Sequence, residues 1–305
     1  MIAKHNDENH ADRVIKKAEM PENYNVLAGL PSGSEIKQIA FVSERVAGQQ
    51  VLLEFPHPIQ RWAVLAKSDP DQQQTVSADD LLVLTIPASN QEDSELLEKV
   101  REWVDAANGD NLPNSLMMTL QGAQIFWAPG RLAIQAQSDR LATVRAALIE
   151  ACFYEAELRD IERTLGEAWP QLEADMPQAF EFDEASISKR QQLRKRFQQI
   201  LLIRARLARI APHVHCPHLH PPTLASQVGE RLRERTRMVH RHEFLDEQIE
   251  VFEKVYESCG QRTSDFMLAR SGHKLEWVII VLLATQILLT LFEILSSAGS
   301  ASLGQ

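Results

Sequence analysis

Short apolar runs, separated by polar and turn-forming positions, mark the first half of the chain. The segments 36–42, 51–55, 60–66, 81–86, 115–121, 123–128 and 131–137 read as short strands. Pro56, Pro58, Asp69-Pro70 and Pro129-Gly130 punctuate them, and a helical pattern over 95–107 interrupts them. These elements predict a mixed α/β head over residues 35–137, after a polar, flexible lead at 1–34. The Asp/Asn-rich stretches 68–80 and 108–114 read as loops.

From residue 139 the period becomes helical. Leu141, Val144, Leu148, Cys152, Glu155, Leu158 and Ile161 follow i, i+3/i+4 spacing, with Ser138 as the expected N-cap and Trp169-Pro170 as the expected end. A second helix fits 186–210, stopped by Pro212. A third begins at Thr223, its cap, and runs onward, with Ser271-Gly272 as an expected hinge. Residues 138–272 thus predict a long helical stalk of coiled-coil type.

Residues 277–292 contain no charge, and 275–295 make 21 residues with Glu276 and Glu293 bracketing the run. At 1.5 Å per residue that length crosses a hydrocarbon core of about 30 Å. The expectation is a single C-terminal transmembrane helix over 273–296, followed by a short tail at 297–305. Leu275, Glu276, Trp277, Gln286 and Glu293 would form the membrane anchor, with Trp277 at the interface and basic Arg270, His273 and Lys274 on the cytoplasmic side. Gln286, Thr285 and Thr290 would serve helix association. The fold class expected is α+β: a mixed α/β N-terminal head, a helical stalk and one span. The location expected is an inner (cytoplasmic) membrane, single-pass and tail-anchored, with the lipid bilayer as a partner and the head in the cytoplasm.

Composition changes this picture little. The first 20 residues carry neither an apolar secretory core nor an Arg-rich, acid-poor transit pattern, and Cys152, Cys216 and Cys259 stand far apart without a CxxC pair, which suits a reducing compartment. Charge adds more. Residues 150–184 hold 11 acids and 2 bases, 189–241 hold 13 bases and 2 acids, and 243–257 hold 6 acids and 1 base. Helices of alternating sign complement one another as neighbours. The basic stretch also offers a polyanion surface at Arg231, Arg233, Arg235 and Arg237, helped by Lys189, Arg190, Arg194, Lys195 and Arg196. Few aromatics interleave with them, and the chain as a whole is −10, which disfavours nucleic acid.

His213, His215, Cys216, His218 and His220 crowd one Pro-bounded connection, and imidazole and thiolate are zinc ligands. The spacing matches no standard zinc site. His240 and His242 would join only if the third helix folds back, so no cofactor is expected, with zinc as the alternative. No P-loop, GxGxxG, GxSxG or HExxH occurs, and no positioned acid and base mark a hydrolase.

The run His273-Lys274-Leu275-Glu276-Trp277-Val278-Ile279-Ile280 resembles the H-x-L-E-W-I-I-I stretch of the YagE-type family, whose eukaryotic members are the "required for meiotic nuclear division" proteins. His242-Glu243-Phe244-Leu245-Asp246 and Gly122-Ala123-Gln124-Ile125-Phe126-Trp127 are similar to two further stretches of that family, though the first lacks its Pro and Trp. The resemblance, carried mainly by 115–295, implies a homo-oligomeric, membrane-anchored scaffold and no catalytic residues. The function expected is therefore a nonenzymatic scaffold that binds itself and recruits an unidentified cytoplasmic protein partner. The alternatives are a membrane tether for RNA or ribosomes, a CorA-like channel-associated subunit, and a metal sensor.

Overall fold

The structure is a computed structural model and describes residues 30–45, 48–66, 80–88, 94–106, 115–180, 185–216 and 222–301. Seven strands form one sheet: β1 (Glu35–Val42), β2 (Val51–Phe55), β3 (Arg61–Leu65), β4 (Leu81–Pro87), β5 (Leu116–Leu120), β6 (Ala123–Ala128) and β7 (Arg131–Ala136). Their order is β2-β3-β1-β4-β7-β6-β5, with β4 and β7 parallel and every other pair antiparallel. All seven strands lie where the short apolar runs of the sequence place them. β4 is the central strand, and its run LLVLTI is buried on both faces, as a strand covered on both sides requires.

Turn chemistry fixes the second half of the sheet. Gln121 and Gly122 both take positive φ, 47° and 81°, and so form the two-residue turn whose twist suits a hairpin between β5 and β6. Pro129-Gly130, the glycine at φ 80°, closes the hairpin from β6 to β7.

Helix α1 (Ser94–Asp105) covers one face of the sheet. Its Leu96, Val100, Trp103 and Val104 pack with Leu82, Leu84 and Ile86 of β4 and with Phe126 of β6. Arg131 donates to the Trp103 carbonyl at 2.5 Å and lies 5.3 Å from the Trp103 ring centroid, which ties the end of α1 to β7. The opposite face meets helix α2 (Ser138–Asp175). Phe153 of α2 sits 4.2 Å from Phe55 and 5.1 Å from Phe41, ring centroid to ring centroid, and Arg145 pairs with Glu35 at 3.3 Å. Val144, Leu148, Cys152, Leu158 and Ile161, the apolar stripe of the helical pattern, are all buried.

The remaining helices are α3 (Ala185–Val214), α4 (Leu224–Arg235) and α5 (Met238–Ala301), with a 3-10 turn at Met176–Ala179. Thr223 caps α4 as expected, accepting from the Ser226 N–H in a reciprocal box. The chain divides into two compact units. One comprises Met1–Leu158 and Arg209–Val239, the other Arg159–Ala208 and His240–Gln305. In the second unit the oppositely charged helices are joined by side chains: Asp160 with Arg206 at 2.8 Å, Glu162 with Arg241 at 2.6 Å, and Glu253 with Arg204 at 2.6 Å.

Several expectations are corrected. Pro170 does not end α2, which continues to Asp175, and Pro212 lies within α3. The third helix is two helices, because a turn at Thr236 and Arg237, where φ is 53°, separates α4 from α5. Ser271-Gly272 does not interrupt α5. The C-terminal transmembrane helix is also corrected, and with it tail anchoring and the single-pass inner-membrane location: among the described residues no helix is long and apolar enough to cross a membrane. Glu276 and Gln286 lie within the apolar stretch of α5.

Candidate functional site

In the second unit, a cavity of about 500 Å³ opens between α3 and α5, lined by Leu193, Phe197, Tyr256 and Cys259 with Arg194 and Asp265 among its polar groups. A buried carboxylate stands behind its wall. Asp175, at the end of α2, pairs with Arg196 of α3 and accepts from the Tyr256 hydroxyl at 3.4 Å, while the Cys259 thiol lies 3.8 Å from the Asp175 carbonyl. Burial, and then the Asp175 charge, pushes the Tyr256 phenol up to about 12 and the Cys259 thiol up to about 11. Both groups therefore hold their protons at neutral pH and act as donors. A protonated thiol is a poor nucleophile and a hydrogen-bond donor, the role Cys259 has towards the Asp175 carbonyl. Motif reading missed it, because Arg196, Tyr256 and Cys259 stand 21, 81 and 84 residues from Asp175. The alternation of charged blocks was its one visible signal.

The His-rich connection lies in the first unit. His213 occupies the last turn of α3 and stacks on Tyr154 of α2, 4.6 Å between centroids and 13° from coplanar. His215 follows it, and Cys216 is exposed; His218 and His220 fall outside the described residues. Burial pushes the Tyr154 hydroxyl well above the usual phenol range, and Glu150 adds to the shift. That hydroxyl has no hydrogen-bond partner among the described residues. His242 belongs to the second unit, where its Nε2 lies 3.3 Å from the Leu207 carbonyl, and His240 is exposed. Among the described residues no group of three or more His, Cys, Asp and Glu is placed to hold a metal ion.

The four arginines singled out for polyanions do not share one surface. Arg231 and Arg235 stand four residues apart on α4 and line a cavity of about 310 Å³ with Met117, Leu120 and Val228. Arg231 also pairs with Glu234 at 3.0 Å. Arg233 is partly buried and lies close enough to Tyr154 to stabilise its phenolate, and Arg237 sits at positive φ in the turn after α4. Of the other basic residues, Arg196 is engaged with Asp175.

The residues expected to anchor a span lie on α5. Leu275 and Trp277 are exposed, 63% and 68%, and Glu276 pairs with His273 at 2.9 Å. Gln286 is exposed within the same apolar stretch. Thr285 and Thr290 donate to the carbonyls of Val281 and Gln286 on their own helix, so their hydroxyls are already partnered. The side chain of Glu293 falls outside the described residues. No protein-family model matches the chain, and no curated protein matches it either.

Proposed function

We propose that the protein is a nonenzymatic scaffold that assembles with copies of itself through the C-terminal part of α5 and uses its α/β unit to recruit a protein partner. The observation that carries the proposal is the exposed apolar stretch of α5. Leu275, Ile279, Leu282, Gln286 and Leu289 repeat at alternating spacings of four and three residues, the seam of a helical bundle with Leu at one position and Ile or a polar residue at the other. A single polar residue in such a seam sets register, and Gln286 holds that place. Ile280, Val281, Ile287 and Leu288 flank the seam and are exposed by 54–68%. Two helices would leave those side chains in water, whereas a bundle of three or more copies buries more of them. The resemblance to the YagE-type family supports the same conclusion, since it implies a homo-oligomer without catalytic residues.

Light scattering of the full-length protein in detergent-free buffer tests the assembly. One species of three or more 34.5 kDa protomers is expected, and a double change of Ile279→Asp and Leu282→Asp should give monomers. A wild-type monomer at micromolar concentration, open-ended aggregation, or recovery with added lipid vesicles in place of a discrete oligomer would refute it.

A further inference from the structure

We infer that the outer edge of β5 takes up an extended, acidic segment of a protein partner by strand addition, with Arg231 and Arg235 of α4 pairing its carboxylates. The inference rests on the proposal that the α/β unit recruits a protein, and it names the surface and the chemistry recognised. β5 ends the sheet, and among the described residues β6 is its one strand partner. The two-residue turn at Gln121-Gly122 closes on the Leu120 and Ala123 pair. Such a turn makes that pair a hydrogen-bonded one, and antiparallel pairs alternate. Leu120, Met118 and Leu116 thus direct their backbone groups to β6, while Met117 and Thr119 direct theirs outward. No hydrogen bond reaches those outward groups among the described residues.

Open edges are normally protected by charge, proline or a bulge. β5 reads LMMTL, has a regular register with β6 and carries no charge, proline or bulge, and α4 packs beside it. Met117 is 50% exposed. A strand laid along this edge would gain backbone hydrogen bonds, and its alternate side chains would reach the cavity beside β5, where Met117, Leu120 and Val228 give apolar contact and Arg231 and Arg235 give positive charge. A second copy paired edge to edge would bring arginines towards arginines, so an acidic occupant fits better. RNA fits less well, because two guanidinium groups without an aromatic wall offer no stacking platform.

Fluorescence anisotropy of the full-length protein tests this, with labelled nonapeptides that alternate valine with glutamate or valine with lysine, and with an oligouridylate. The glutamate peptide should bind and the other two should not. Thr119→Pro, which removes an outward donor without touching the β5–β6 ladder, should weaken binding by about tenfold or more, whereas Thr119→Val should bind as wild type. Arg235→Glu should weaken the glutamate peptide and favour the lysine one. Circular dichroism on the same samples checks folding, and light scattering reports self-association separately, so loss of assembly and loss of peptide binding are told apart. A wild-type protein that ignores both peptides, binds them equally, prefers the uridylate, or keeps its affinity in folded Thr119→Pro would overturn the inference.

Discussion

Tyr256 and Cys259 keep their protons because burial disfavours their anions and the Asp175 carboxylate adds repulsion. In the unfolded chain the thiol ionises near 9.0 and the phenol near 10.0, against about 11 and about 12 in the folded protein. Between these values the unfolded state has shed protons that the folded state retains, so stability falls as pH rises. The loss contributed by these two groups begins above pH 9, ends near pH 12, and is absent below pH 9. The urea midpoint of the wild type should therefore drop more steeply between pH 9 and 10.5 than that of a Tyr256→Phe, Cys259→Ala variant. Parallel curves would contradict the assignment. The raised values follow from a cluster assembled from three helices, and no local spacing in the sequence announces them. By contrast, the burial of Val144, Leu148 and Leu158 was legible, because each belongs to a stripe that repeats along one helix.

Elements were legible where apolar runs and turn chemistry agree. All seven strands could be placed, since short apolar runs and breaks such as Pro129-Gly130 act over a few residues. Proline misled the helix ends. Pro170 removes one backbone hydrogen bond at a cost of about 3 kcal/mol, yet Leu165 and Leu172 are buried on either side of it and Trp169 packs on Phe252 at 4.9 Å. Packing offsets the loss, and packing is not written in the local sequence. The helix break at Arg237 was illegible for the opposite reason: neither Gly nor Pro marks it. Charge alternation was legible and can be tested between elements. Glu162 of α2 and Arg241 of α5 form a two-pronged pair, with Nε and Nη2 of Arg241 at 2.7 and 2.6 Å from the carboxylate oxygens. Because both side chains are partly solvated, Glu162→Arg should cost about 1 kcal/mol in chemical denaturation. Adding Arg241→Glu should restore most of it. A double variant no more stable than the sum of the single changes would show that the pair adds nothing beyond its parts.

At the scale of the whole molecule, blocks of opposite charge within a chain of net −10 foreshadowed helices joined by ion pairs. The return of residues 209–239 to the unit formed by residues 1–158 was not foreshadowed, since it depends on which helix faces meet rather than on composition. The candidate surfaces divide in the same way. The apolar end of α5 and the basic residues of α4 stand out in the sequence, but the selection of Arg231 and Arg235 as the pair beside β5 needed the fold.

The unbroken path of α5 through Gly272 makes the helix a torsional shaft. Each residue turns it by about 100°. One residue inserted between Gly260 and Gly272 would swing Ile279, Leu282 and Leu289 by that angle relative to Phe252 and Tyr256, which are packed within the second unit. Seven inserted residues, nearly two full turns, would return the seam to within about 20° of its starting azimuth. Self-association should follow that phase, disrupted by one added residue and recovered with seven, as sedimentation of the two insertion variants would show; equal behaviour of the two would mean that the shaft slips.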